Sequence, residues 1–330
     1  RVGAHHTLGA TWRFVRTDRT HREYETVDEQ SLRLAWVNRA WDGLTLRTSY
    51  LYSDRDGDDY NFDPYHFTFS RNLPGYVQPP EGEWPHTVAE MRNYDLASRR
   101  QHKLNLMATL ALGSAQTLSG SLRAERNDYD AVIGRQDYDV LGTSVQWEWQ
   151  PSPQASASAY YAYDRSDLGM ANVNDAIIFG PPDLGGPVYP LDARWWADDA
   201  QRNHTVGVHL DRQVGRVRLG ADWNLVQSRG VTAYAFASPL ALAWPQVAET
   251  TPGRFPTMHY RANTLTVSAH VPLSERLSLH VFDRYERGRI SDWHYMGVYE
   301  DPVLEHRVYS DGGPEDYGAN LLGVFLEVRL

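Results

Sequence analysis

The chain has 330 residues, 42 % of them hydrophobic, and a formal net charge of −10. That charge argues against a nucleic-acid partner held by phosphate neutralisation. The absence of cysteine excludes disulfides, thiolate metal sites, thiol nucleophiles and covalent c-type haem attachment to this chain.

No run approaches the roughly 18 apolar residues of a membrane helix. A transmembrane β-barrel needs none, because only alternate residues face lipid. The 20 Tyr and 11 Trp suit interfacial girdles, and also a carbohydrate-binding β protein. Arg1-Val2-Gly3 is not a charged start followed by an apolar core, so it does not open a signal peptide. The expectation is a mature or truncated product.

Period-two alternation marks the strands. The first runs from about Ala4 to Arg16, with Leu8, Ala10, Trp12 and Phe14 on one parity. The second, about Val27 to Arg39, sets Leu32, Leu34 and Trp36 against Ser31 and Arg33. After a turn at Asp42-Gly43, a third sets Leu44, Leu46, Tyr50 and Tyr52 against Thr45, Arg47 and Ser49. A proline-rich segment from about Ser53 to Arg99 reads as a long loop. The fourth strand is the clearest, with Leu104, Leu106, Ala108, Leu110 and Leu112 on one face.

Further strands follow at Leu118 to Glu125, Ser144 to Trp149 and Ala155 to Tyr163. A medium loop is expected near Asp130 to Gln136 and a long one from Ser166 to Ala200. Strands at Thr205 to Asp211 and Val217 to Leu225 precede a loop from Gly230 to Met258. Strands at Thr264 to Val271 and Leu277 to Val281 precede a last loop, Ile290 to Asp316. The final strand, Tyr317 to Leu330, puts Leu322, Val324, Leu326, Val328 and Leu330 on one face and Phe325, Glu327 and Arg329 on the other.

About twelve long strands with alternating short and long connections predict an all-β fold. The expected architecture is a transmembrane antiparallel up-and-down β-barrel of the bacterial outer membrane, with long extracellular loops and short periplasmic turns. A soluble β-sandwich would have shorter strands and no such alternation of connections. Residues 1–330 read as one barrel domain, either whole or the C-terminal portion of a larger barrel.

Three stretches resemble the MtrB/PioB family of decahaem-associated outer-membrane barrels. They are Met91-Arg92-Asn93-Tyr94-Asp95-Leu96-Ala97-Ser98-Arg99-Arg100, Tyr285-Glu286-Arg287 with Ser291-Asp292-Trp293, and Tyr317-Gly318-Ala319-Asn320-Leu321-Leu322-Gly323-Val324. The resemblance implies a barrel that sheaths and insulates a periplasmic multihaem c-type cytochrome. Electrons then cross the outer membrane through the partner's haems, and the barrel itself binds no cofactor. Family members have roughly twice as many strands, and several carry a CxxC near the mature N-terminus that this chain lacks. Because about 16–18 strands are needed for a wide channel, the sheath reading requires a C-terminal part of a larger barrel or an unusually small relative.

On the polar parity, Arg33, Arg47, Arg123, Glu125, Glu148, His209, Arg218, Asp222, His270, His280, Glu327 and Arg329 are expected to face the lumen. They could line a selective pore, contact a cytochrome, or simply meet water. His5, His6, His209, His270 and His280 are ligand-type residues, but a metal needs three or four converging donors. Asp54, Asp56 and Asp58 offer a loop Ca²⁺ site, although the EF-hand spacing fails at its glycine and at its twelfth position. A hydrated loop tip is the simpler reading of the same carboxylates. No G-x-S-x-G elbow, triad or paired-carboxylate spacing points to an enzyme. The alternatives to the sheath are a passive porin and, after it, a surface hydrolase or adhesion barrel.

Overall fold

The computed structural model describes residues 3–20, 22–61, 91–173, 194–236, 253–292, 303–304, 307–308 and 316–328. In chain order its strands are β1 (His6–Asp18), β2 (Thr26–Trp41), β3 (Leu44–Gly57), the two-residue β4 (Met91–Arg92) and β5 (Ser98–Ala111). Then come β6 (Gln116–Asp130), β7 (Ile133–Ser152), β8 (Ala155–Val173), β9 (Arg194–Val214), β10 (Val217–Phe236), β11 (Met258–Pro272) and β12 (Leu277–Ser291). The short β13 (Val303–Leu304) and β14 (Arg307–Val308) precede β15 (Asp316–Val328).

The twelve long strands form one meander in the order β1-β2-β3-β5-β6-β7-β8-β9-β10-β11-β12-β15, each antiparallel to its neighbours. β4 lies parallel to the start of β7, Met91 opposite Ile133, and β13 pairs with β14 as a separate ribbon. β1 pairs with β2 alone and β15 with β12 alone, so the sheet is open among the described residues.

The cross-strand register turns the sequence alternation into two continuous faces. On one, Leu8, Trp36 and Thr48 run into Leu106, Leu122 and Thr143. Farther along, Ala159, Val208, Trp223, Leu265 and Tyr285 continue the same face. Many side chains of this face stand in the open, Trp12 being 65 % exposed and Leu322 69 %. So large an uncovered apolar surface marks a membrane-facing wall. Aromatic residues edge it. Trp36, Trp147 and Trp149 lie toward the short turns, and Tyr50, Tyr52, Tyr161, Tyr163 and Tyr285 toward the long loops. Such girdles sit at lipid headgroup level.

Two of the loop-side aromatic groups repeat one device. Tyr50 and Tyr52 flank His102, with Tyr50 Oη 2.7 Å from His102 Nδ1. Tyr161 and Tyr163 flank His204 in the same way, at 2.8 Å.

Several strands exceed their expected lengths, chiefly at the loop end. β3 carries Asp54, Arg55 and Asp56 inside the strand instead of a loop, and β8 runs on to Val173. The expected loop Asp130–Gln136 shrinks to Ala131-Val132 between β6 and β7. The physical reason is that ladder pairing continues past the bilayer, where both faces are polar and apolar alternation fades. The turn end follows expectation, with Gly43, Gly113 and Gly215 at φ of 72°, 79° and 60°, a backbone region that glycine enters without strain.

Buried hydrophobic residues gather at the loop-side mouth. Tyr24, Val27 and Leu96 form a cluster, with Leu96 fully buried, and Tyr60 packs on it. Leu96 belongs to the stretch Met91–Ala97. Arg55, on the inward face of β3, holds that stretch by donating to the carbonyls of Tyr94 (2.7 Å), Asp95 (3.0 Å) and Ala97 (2.7 and 3.0 Å). Arg22 pairs with Asp95 at 2.9 Å, and Asn93 donates to Glu23 at 2.8 Å. Leu96 and Ala97, within one of the three stretches that carry the family resemblance, are thus fully buried.

Candidate functional site

The candidate site is the face opposite the apolar wall. Short polar side chains dominate it. Ser121 meets Ser144 at 2.7 Å, and Ser158, Thr205, Thr266 and Ser268 recur along the same parity.

All the described residues expected to face the lumen stand on this face. Arg329 lies outside the described residues. Arg33 and Arg47 are exposed on β2 and β3. Arg123 and Glu125 form a built group on β6. Glu125 is only 8 % exposed, because Arg123 (2.8 Å), Lys103 (3.4 Å), Gln101 (3.0 Å) and Asn127 (3.1 Å) converge on its carboxylate. Glu148 accepts from Gln146 at 2.8 Å. Arg218 reaches Asp211 at 2.8 Å, and His209 Nδ1 lies 2.6 Å from Asp222 Oδ1. Glu327 accepts from Ser278 at 3.4 Å and stands 3.9 Å from His270.

The histidines do not come together as one set. His270 and His280 face each other across β11 and β12, while His209 pairs with Asp222 and Ser158 farther along the sheet. His5 and His6 lie at the start of the described chain, beside and in β1. Among the described residues no three His, Asp or Glu side chains converge at metal-binding distance. Asp54 and Asp56 have the outward parity of β3, not a loop position. Asp56 accepts from Ser98 at 2.6 Å, and Asp58 accepts from the backbone N–H of Thr26 at 3.0 Å.

Three features of this face escape sequence reasoning because they need register. Inward glycines sit directly beneath aromatic rings of the neighbouring strand: Gly207 under Tyr160, Gly288 under Tyr317 and Gly323 under Phe282. A Cβ on any of them would collide with that ring. Glu286 gathers Arg284 (2.6 Å), Tyr317 (2.8 Å) and Thr264 (3.3 Å) near the loop end. Phe282 stacks on Phe325 at 5.8 Å beside His280.

Chemically, this face offers spaced charges, several of them paired in place, many hydroxyls, and no convergent nucleophile, base and oxyanion donors among the described residues. A family model with the description "Putative outer membrane beta-barrel porin, MtrB/PioB" matches residues 1–330. Solved structures with the same fold include the ferric citrate transporter FecA in its unliganded form, with a TM-score of 0.56 and 10 % identity, covering 98 % of this chain and 42 % of that one. BauA, the ferric preacinetobactin receptor from Acinetobacter baumannii, gives 0.54 and 10 %, covering 97 % and 44 %. A mutant of the ferric enterobactin receptor PfeA from Pseudomonas aeruginosa, in complex with enterobactin, gives 0.56 and 12 %, covering 98 % and 42 %. The chain thus spans less than half the length of these structures. No curated protein sequence matches it.

Proposed function

The chain belongs to the MtrB/PioB family of outer-membrane β-barrel porins, and on that premise we propose that it is barrel wall that sheaths and insulates a multihaem c-type cytochrome. Its role in this reading is non-enzymatic. The outward rows keep lipid on one side, and the inward face seats a protein on the other. The partner's haems supply the electron-carrying chemistry, and this chain excludes lipid from them.

The observation that carries the reading is the make-up of the inward face. A pore that selects among small solutes narrows its lumen with rings of charged side chains. Here serine, threonine and glycine predominate, the charges of Glu125 and Asp211 are already paired with neighbouring arginines, and Asp222 is hydrogen-bonded to His209. Such a surface leaves room for a large body and presents hydroxyls to it. Twelve strands alone enclose too little space for a folded cytochrome, so the sheath is a wider barrel to which this sheet contributes an arc. The similarity to less than half of each transporter chain supports an arc of that kind.

The family's description as a porin favours a second reading, a passive channel in which the same face lines a solute path. One experiment separates the two. The protein bearing this chain is purified from outer membranes, stained for haem and then reconstituted in planar bilayers. The sheath predicts a co-purifying haem-staining partner and low conductance while that partner is bound. A haem-free preparation that conducts ions freely contradicts it.

A further inference from the structure

The outward face carries a second feature that neither the barrel fold nor a lumen partner requires. Beyond the apolar rows, on the loop side of β9 to β12, stand Arg202, Arg229, His259, Arg261, Arg287 and Arg289. Each shares the parity of its strand's lipid-facing residues, and the ladders between these strands contain no register shift. Arg202, Arg229 and Arg261 lie four positions beyond Val206, Leu225 and Leu265, about 13 Å along tilted strands. That places them at headgroup height, outside the hydrocarbon.

The register sets like charges directly opposite one another. Arg202 faces Arg229, and Arg261 faces Arg289. Cross-strand like pairs destabilise a sheet unless something neutralises them. Protein carboxylates do so only at the margin. Asp316 stands 3.7 Å from Arg289. Asp283, four positions below Arg287 on the same face, is too far to pair with it. Among the described residues Arg202, Arg229, Arg261 and Arg287 meet no carboxylate. The same belt elsewhere is neutralised internally, by Arg16–Asp28 at 2.6 Å, Arg126–Asp128 at 3.2 Å and Arg165–Asp167 at 2.6 Å.

We propose that this arginine patch is a docking site for the phosphate groups of a phosphorylated lipid headgroup in the outer leaflet. The guanidinium fork matches phosphate oxygens bidentately, and a basic surface at headgroup depth attracts anionic lipid. The patch adjoins apolar rows that would take acyl chains, so one molecule can satisfy both surfaces. This match of charge and depth favours a lipid over a soluble protein partner. The site is independent of what the lumen holds.

The test titrates the purified full-length protein, in neutral detergent, with bis-phosphorylated lipid A and with its dephosphorylated form, using native mass spectrometry. The wild type should bind the phosphorylated lipid preferentially. The triple variant Arg229→Gln, Arg261→Gln, Arg289→Gln should bind it about a hundredfold more weakly, at roughly fivefold for each arginine. A control double, Arg16→Gln and Arg126→Gln, on strands away from the patch, should bind as the wild type does. Heat-modifiable gel migration establishes that each variant is folded, and the two-lipid comparison on the wild type needs no variant. Equal binding of the two lipids, unchanged binding by the triple variant, or full displacement of the lipid by millimolar inorganic phosphate would overturn the proposal.

Discussion

Val208 and His209 are neighbours in β9 and meet opposite surroundings. Val208 lies between Ala159 and Trp223 on the apolar wall. His209 lies between Ser158 and Asp222 on the polar face, bonded to the carboxylate at 2.6 Å. The same contrast repeats across all twelve strands. Apart from β12, where Asp283 interrupts the row between Val281 and Tyr285, the outward face is specified by one requirement, freedom from unpaired polar groups in hydrocarbon. The inward face is specified by pairs and packing that differ from strand to strand. Outward positions are therefore interchangeable in kind, and inward positions are individual.

The largest expected effect breaks the outward rule. Val208→Arg puts a guanidinium in the apolar wall and should destabilise the folded protein by about 2–4 kcal/mol, measured by urea titration in lipid vesicles. Ser158→Arg, at similar depth on the other face, should change stability far less. Equal losses for the two would mean that the faces are misassigned. Next in size is Gly207→Ala, whose methyl would meet the Tyr160 ring and Asn224. Overpacking of this kind costs roughly 1–3 kcal/mol, and Tyr160→Ala in the same chain should recover part of it. Absence of recovery would show that the ring is not the obstacle.

Arg55→Ala sharpens the contrast at the mouth. It removes the donors to Tyr94, Asp95 and Ala97 and leaves their carbonyls short of partners, a local loss of about 1–2 kcal/mol. Hydrogen exchange at residues 91–97 should quicken while exchange in β9 and β10 stays unchanged. The smallest effect belongs to Arg126→Gln. Its partner Asp128 is an exposed ion pair, and such pairs contribute little, so the urea midpoint should not move measurably.

The outward face was legible in the sequence because it obeys one period. Leu104 to Leu110 and Leu322 to Val328 announce both their strands and their side. Strand ends were not legible, because the loop-side alternation is of Asp, Arg and Tyr, as at Asp54 to Asp56, and says nothing about hydropathy. Inward parity was readable for residues such as Arg123, Asp222 and His280. Their cross-strand partners were not, since Glu125 gathers Lys103 from the neighbouring strand, and Gly207 meets Tyr160 only through register. The arginine patch left a trace that could have been read: arginines at a fixed step beyond the apolar rows on three consecutive strands.

The central claim is that the inward face seats a haem-bearing protein. A photo-crosslinking residue placed at Ser158, and in a separate chain at Leu219, tests it in cells. The account predicts a haem-staining adduct from position 158 and none from the lipid-facing position 219. Adducts from both positions, or from neither while the barrel is folded, would contradict it.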